Sequence, residues 1–391
     1  MPWLPPAKPE PKGSPAARAF MAALRSPECS AEQRREAWTA LQAEDERPPA
    51  AVAKVVDKAR RAAWQRLDAL ILARPVRRTA ARLPKAMAPH QAKALAVIRG
   101  DGFSREKLDQ AMAPIQQALE EARAPLAEAE PYTAIRARID EVEAYAVGCG
   151  LRPGWSDELR DALCTLRFVV RYAGTADARD VVDSNHTIGS WIDPGEHACI
   201  ARLNWHRVLL GLSPLHIDLR LVIAAKKHSE EMVAKGYFSH ASPTPHLKGF
   251  GQRARREHTG ARGECIAGGQ SHGVGAFRAW YYSQGHHKIM VGSGRAVGVG
   301  RAGRTWTLMM GGSKMKGSRA VTMARYVRRR YQAGDDTEKL FALARWCADQ
   351  GLLTQAQDEL ERILVLDSDH ERARQVLERM RGDAPSREPQ Q

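Results

Sequence analysis

The chain has 391 residues, a net charge of +15, 43% hydrophobic and 27% charged residues. That is the composition of an ordinary soluble globular protein with room for two or three domains, each burying its own core. No apolar run approaches the ~20 residues that a membrane helix needs, which excludes a transmembrane helix. The positive charge favours anionic partners such as lipid headgroups, acidic polysaccharide or nucleic acid. The basic residues are scattered and interleaved with acids, so a dispersed positive surface is the plainer reading and nucleic acid is not the favoured partner.

Residues 1–14 are rich in Pro, Lys and Gly and are expected to be a disordered linker. They lack the basic-then-apolar plan of a signal peptide. From 15 to 182 Ala, Leu, Arg, Glu and Gln dominate, and a helical region of unknown role is expected. Pro48, Pro49, Pro75, Pro84, Pro125 and Pro131 should separate short helices. Leu108, Met112, Ile115 and Leu119 fall at helical spacing, with Pro114 either kinking that helix or lying just after its start. Ile139 to Asp157 echoes Ile200 to Asp218, each reading as helix, Gly-Leu-x-Pro turn and a new helix capped by Asp. A decayed duplication and a chance recurrence both fit that echo.

The polar stretch 174–195 reads as a linker. Beyond it a helix over His197–Leu210, a helix from Asp218 to Lys235, a strand over Arg262–Ala267, a helix over Ala276–Ser283 and a strand pair at 296–301 and 305–310 predict an α+β domain, residues 196–312. A basic segment follows. Thr337 to His370 then resembles a tetratricopeptide repeat (TPR), with Leu343 and Ala344 in its first helix, Gly351 at the turn, and Ala356, Leu360 and Ile363 in the second. A plain helical hairpin fits the same residues. The TPR-like helices span 335–382, and 383–391 form an expected disordered tail.

Ten of the thirteen histidines lie between His197 and His287, in the α+β stretch. Phe238-Ser239-His240-Ala241-Ser242-Pro243 comes first, followed by Gly263-Glu264-Cys265, Trp280-Tyr281-Tyr282-Ser283-Gln284-Gly285-His286, Gly298-Val299-Gly300 and Trp306-Thr307. Upstream stand Leu203-Asn204, Arg207, Gly211-Leu212-Ser213-Pro214 and His228-Ser229. No single motif is strong, but the ordered series resembles the CAP superfamily (cysteine-rich secretory proteins, antigen 5 and pathogenesis-related 1 proteins; SCP-like) in its bacterial form. The resemblance implies a three-layer α-β-α sandwich and an extracellular or cell-envelope location. It also implies a cleft in which two histidines and two acids hold a divalent metal in several members. Three of those positions carry over, as His240, Glu264 and His286. The fourth falls at Ser283, which supplies no carboxylate.

Two imidazoles and a carboxylate with an open position suit zinc, and without metal the same groups form a polar cleft. His228 shares a helix face with Leu221, Ala225 and Met232, which predicts a buried, hydrogen-bonded ring. Cys265 should point away from the Glu264 side of its strand and into the core. Gly298-Val299-Gly300 is followed by a strand rather than a helix and is no nucleotide fingerprint. Six scattered cysteines without a Cys-x-x-Cys pair decide neither disulfides nor compartment. The first functional reading is a binding module with a lipid, polysaccharide or protein ligand. The alternatives are a metal-dependent hydrolase using His240, Glu264 and His286, and a scaffold recruiting protein partners through its helical ends.

Overall fold

The computed structural model describes residues 14–44, 48–311 and 317–382. The expected terminal linker and tail fall outside these, apart from Ser14, which caps the first helix. The N-terminal region is helical as its composition predicts: α1 (Pro15–Arg25), α2 (Ala31–Glu44), α3 (Ala50–Ile71), α4 (Arg74–Ala80), α5 (Leu83–Arg99), α6 (Arg105–Ala127), α7 (Glu130–Gly148), α8 (Asp157–Ala173) and α9 (Ala176–Gly189). Proline marks several starts, where its missing N–H costs nothing. Pro49 caps α3, and Pro75, Pro84 and Pro131 stand in the first turns of α4, α5 and α7. Pro114 and Pro125 break that rule, since α6 begins at the Ser104 cap and runs through both. Its buried row Leu108, Met112, Ile115 and Leu119 holds it against its neighbours.

The expected linker at 174–195 is instead mostly helix. Thr175 caps α9 by accepting the Ala178 N–H, and Ala178, Val181, Val182, Asn185 and Gly189 form its buried stripe. The polar composition hid this because Asn185 is a buried structural clamp. Its amide donates to Leu215 O at 2.7 Å and its Oδ1 accepts Ile217 N–H at 2.8 Å. Asn204 grips Leu215 from the other side, donating to its O at 2.9 Å and accepting its N–H at 2.7 Å. Buried backbone polar groups need such partners. One hydrophobic core accordingly runs from Phe20 and Leu67 through Leu163 and Leu203 to Val299 and Leu308.

The α+β part comprises α10 (Pro194–Leu209), β1 (His216–Ile217), α11 (Leu219–Ala234), α12 (Phe250–Arg256), β2 (Ala261–Gly268), α13 (Gly273–Tyr281), α14 (Gln284–Met290), β3 (Ala296–Ala302) and β4 (Thr305–Gly311). The sheet order is β1-β3-β4-β2, with β1 parallel to β3 and the other pairs antiparallel. Glu264, Met309 and Gly298 lie in line across it, and Cys265, Leu308 and Val299 form the next row on the opposite face. On the Glu264 face α11 comes down onto β3. A Cβ on Gly298 would stand 2.2 Å from the backbone of Leu221 and Val222, and one on Gly300 would stand 2.1 Å from Lys226 N. Gly-Val-Gly is therefore a close-packing device. Ser229 on α11 completes the seam by donating to Gly300 O at 3.0 Å and meeting Thr307 Oγ1 at 2.9 Å.

The sequence echo holds at the helix ends and then stops. Leu151 N–H bonds Ala146 O and Leu212 N–H bonds Arg207 O, with Gly150 and Gly211 at φ of 63° and 74°. Both turns thus have the same backbone C-cap form. Asp218 caps α11 as predicted, whereas α8 is capped by Ser156 and not by Asp157.

The C-terminal helices are α15 (Gly317–Ala333), α16 (Thr337–Asp349), α17 (Leu353–Leu366) and α18 (Glu371–Gly382). Leu360 and Ile363 join Leu340 and Ala344 in a small core, but Leu343, Cys347 and Ala356 belong to the main one. The apolar residues of the TPR-like hairpin are thus divided between two clusters. Ion pairs seal the junction: Arg256 with Asp358 at 2.7 Å, and Lys227, itself held by Glu257 at 2.7 Å, also with Asp358.

Gly298→Ala should destabilise the chain by about 1–3 kcal/mol or more, because the clash is with backbone. Leu343→Ala should cost about 2–5 kcal/mol and lower one shared calorimetric transition. Loss of a separate C-terminal transition alone would contradict the shared core.

Candidate functional site

The site forms where the loop after α11 folds back over the edge strand β2. Glu231, at the end of α11, gathers that loop. It accepts Tyr237 OH at 2.8 Å, Lys235 Nζ at 2.8 Å and Thr244 Oγ1 at 2.5 Å. Burial alone would raise its pKa, but these hydrogen bonds outweigh burial and hold the carboxyl at about 2. The loop then presents His240 over β2.

Glu264 is the buried centre. Its Oε1 accepts His240 Nδ1–H at 2.9 Å, and its Oε2 accepts Arg253 Nη2 from α12 at 2.6 Å. The same guanidinium donates to His240 O at 3.0 Å and to Leu247 O at 2.8 Å, fixing the loop to the strand. His240 is 52% exposed at its side chain while Glu264 is 1% exposed. With Nδ1 donating to a carboxylate, the His240 Nε2 carries the lone pair and faces outward. His286, at the start of α14, faces it with ring centroids 6.2 Å apart. Burial, and then the charge of His240, lowers the His286 pKa below the usual imidazole range.

The structure thus brings His240, Glu264 and His286 to one edge, as the sequence pattern implies. Ser283 stands one turn before His286 at the N-cap of α14, and its side chain makes no capping bond. His228 is buried as predicted, with Nε2 donating to Ser239 O at 3.1 Å and lying 3.9 Å from Glu264 Oε1. Burial lowers its pKa despite the Glu264 charge. Arg253 was not legible beforehand, because it lies in the run Arg253-Ala254-Arg255-Arg256 and nothing local marks which arginine turns inward. Cys265 lies in the core on the other face, where burial pushes its thiol well above the ordinary value.

For a metal, the donor set does not fit as arranged. The Glu264 carboxylate is already shared between a guanidinium and an imidazole N–H. A cation there would sit against Arg253. Among the described residues no group of three or more His, Cys, Asp or Glu is disposed to hold an ion. What the arrangement supplies is an oriented, outward-facing imidazole beside a second one. The inner wall, His228, Glu231 and Arg253, also borders a cleft of about 1300 Å³ between α11–α12 and α15–α17.

Residues 200–308 match the cysteine-rich secretory protein family, CAP. They form a CAP domain. The uncharacterized protein YkwD of Bacillus subtilis (strain 168) is 35% identical over 120 residues, 29% of this chain and 45% of that protein. A crystal structure of an extracellular protein containing an SCP domain, from Bacillus anthracis str. Ames, is 30% identical. The likeness covers 32% of this chain and 42% of that one, with a TM-score of 0.29. The chain spans less than half the length of each of these relatives.

Two expectations follow. Arg253→Ala leaves a buried carboxylate without its cation and should cost about 3–5 kcal/mol in denaturant titration. The second concerns acid. Burial lowers His186, His197, His206, His228 and His287, to about 3 for His197 and about 4 for His287. Unfolded, they titrate near ~6.5, so below that pH the unfolded chain holds more protons and stability falls as pH drops. Burial pushes Glu196 up to about 7, which acts in the opposite sense between ~4.3 and that value. Burial also raises the Asp68 and Glu359 carboxyls, but the lowered imidazoles outnumber the raised carboxyls, so the urea midpoint should fall steeply from pH ~7.5 to ~5. A flat profile would contradict the neutral burial of these rings.

Proposed function

We propose that the CAP domain works as a non-catalytic binding module of the cell exterior or envelope, with the exposed His240 and the half-buried His286 as its reading pair. The observation that carries this is the Glu264 carboxylate, divided between Arg253 and His240. It is spent on fixing the loop to the strand. The extracellular description of the Bacillus anthracis relative and the net charge of +15 support a ligand at an anionic lipid or polysaccharide surface. Architecture adds to the reading. Packing of α11 on one sheet face, with the main core on the other, supports the three-layer α-β-α arrangement. The α16–α17 hairpin with buried Ala344, Ala356, Leu360 and Ile363 supports a TPR-type unit. Its Asp358 ion pairs to Lys227 of α11 and Arg256 of α12 favour a docked buttress over a free recruiting arm.

One observation favours hydrolysis as the second reading. An imidazole whose Nδ1–H meets a buried carboxylate has the geometry of a general base. Sedimentation of the full chain with phosphatidylglycerol and phosphatidylcholine vesicles separates the two. Binding to the anionic vesicles should fall with salt and drop several-fold in His240→Ala and His286→Ala. Equal binding to both vesicles, or a peptide hydrolysis abolished by His240→Ala, would replace the binding reading with the alternative.

A further inference from the structure

Far along the chain from His240, α6, α7, α8, α10 and the start of α13 enclose a second cavity, of about 650 Å³. Arg123, Arg136 and Arg202 line it together with the rings of Tyr132 and Trp205. The acids in its wall are already engaged. Asp161 pairs with Arg136 and with Arg160. Glu158 accepts His272 Nδ1–H and Val274 N–H, each at 2.7 Å, and so ties up the N-terminus of α13.

Arg202 has no such counterpart. Among the described residues no carboxylate lies within 4.0 Å of its guanidinium, and its Nε is buried without a hydrogen-bond partner. The guanidinium stacks over the Trp205 ring at 3.5 Å. Among the described residues no carboxylate lies within 4.0 Å of Arg123 either, and it makes a side-chain hydrogen bond with the Tyr132 hydroxyl. The Arg123 Nε and the Trp205 Nε1–H are two further buried donors left without acceptors. Burial first, and the like charge of Arg123, lower the Arg202 pKa to about 10, while Tyr281 and the more distant Glu120 carboxylate act to raise it.

A half-buried cation without a carboxylate partner is costly, and a folded chain keeps one where something offsets it. Here two guanidiniums without a carboxylate within 4.0 Å line one space with aromatic walls. We propose that this cavity binds a small organic anion with an apolar body, its carboxylate or phosphate held by Arg202 and Arg123 and its body laid against Trp205 and Tyr132. Guanidinium forks suit both acid groups. The volume is that of an ordinary small-ligand site. The site needs both halves of the chain, since the CAP helix α10 supplies Arg202 and Trp205 while α6 and α7 supply Arg123 and Tyr132. A binding role for the N-terminal helices follows directly. A neighbouring cleft of about 420 Å³ shares His272 and Val274 and adds Arg105 and Arg278, giving a longer anion further cations.

The test is calorimetric titration of the full chain with naphthyl phosphate, naphthoate, neutral naphthol and inorganic phosphate. The two aromatic anions should bind one to one, at least about tenfold tighter than naphthol or inorganic phosphate. If only one of them binds, that result assigns the acid group. Arg202→Met should weaken the anions at least about tenfold while melting no lower than the wild type, because it removes a half-buried charge without a carboxylate partner. Arg123→Gln, which keeps Arg202 in place, should weaken them several-fold and stands as the second probe if Arg202→Met does not fold. Naphthol binding as tightly as naphthyl phosphate, wild-type affinity in both variants, or no anion binding by the wild type at millimolar concentration would each overturn the proposal.

Discussion

Everything at the centre of this chain depends on how closely α11 approaches the β3–β4 hairpin. Two glycines on one face of β3 let helix backbone rest on strand backbone, and Ser229 bonds across the seam to Gly300 O and Thr307. That approach sets the height of α11 over the sheet. It thereby places His228 against Glu264 and starts the following loop at the level of β2. A side chain at either glycine would lift the helix and with it the loop that carries His240.

A second constraint acts at the edge strand. A carboxylate as buried as Glu264 must be compensated, and Arg253 and His240 do so from two different elements. The compensation explains why a loop of polar and small residues is held in a fixed position. It also directs the chemistry outward, since the lone pair that remains accessible is on the His240 Nε2. Glu143 plays a comparable part in the helical region, where Arg152, Arg60 and the Trp64 N–H converge on its carboxylate at 2.6, 3.2 and 2.8 Å.

The helical region is therefore structurally continuous with the CAP domain. Arg60 reaches Ser190, Asn185 holds Leu215 and Ile217, and α8 packs on α10. Buried neutral histidines at these contacts link the folded state to neutral pH. The same contact surface places Arg202 and Arg123 in the wall of one cavity, a feature that neither half of the chain would have alone.

The sequence by itself determined the local structure. Caps at Asp218, helix ends at Gly211, the alternation in β2 and the row of apolar residues in α6 all express nearest-neighbour chemistry that survives in any context. It also placed His240, Glu264 and His286 in an ordered series whose positions match a known family. What only the tertiary structure decided is which polar side chains become internal partners. Little within a few residues of Arg253, Asn185 or Arg202 distinguishes them from solvated neighbours, because the partners that set their roles include Glu264, Ile217 and Arg123, which lie 11, 32 and 79 positions away. The stretch 174–195 shows the same limit. Its composition describes how polar the side chains are, but burial against a distant strand, through Asn185 and Val182, made it a helix of the core.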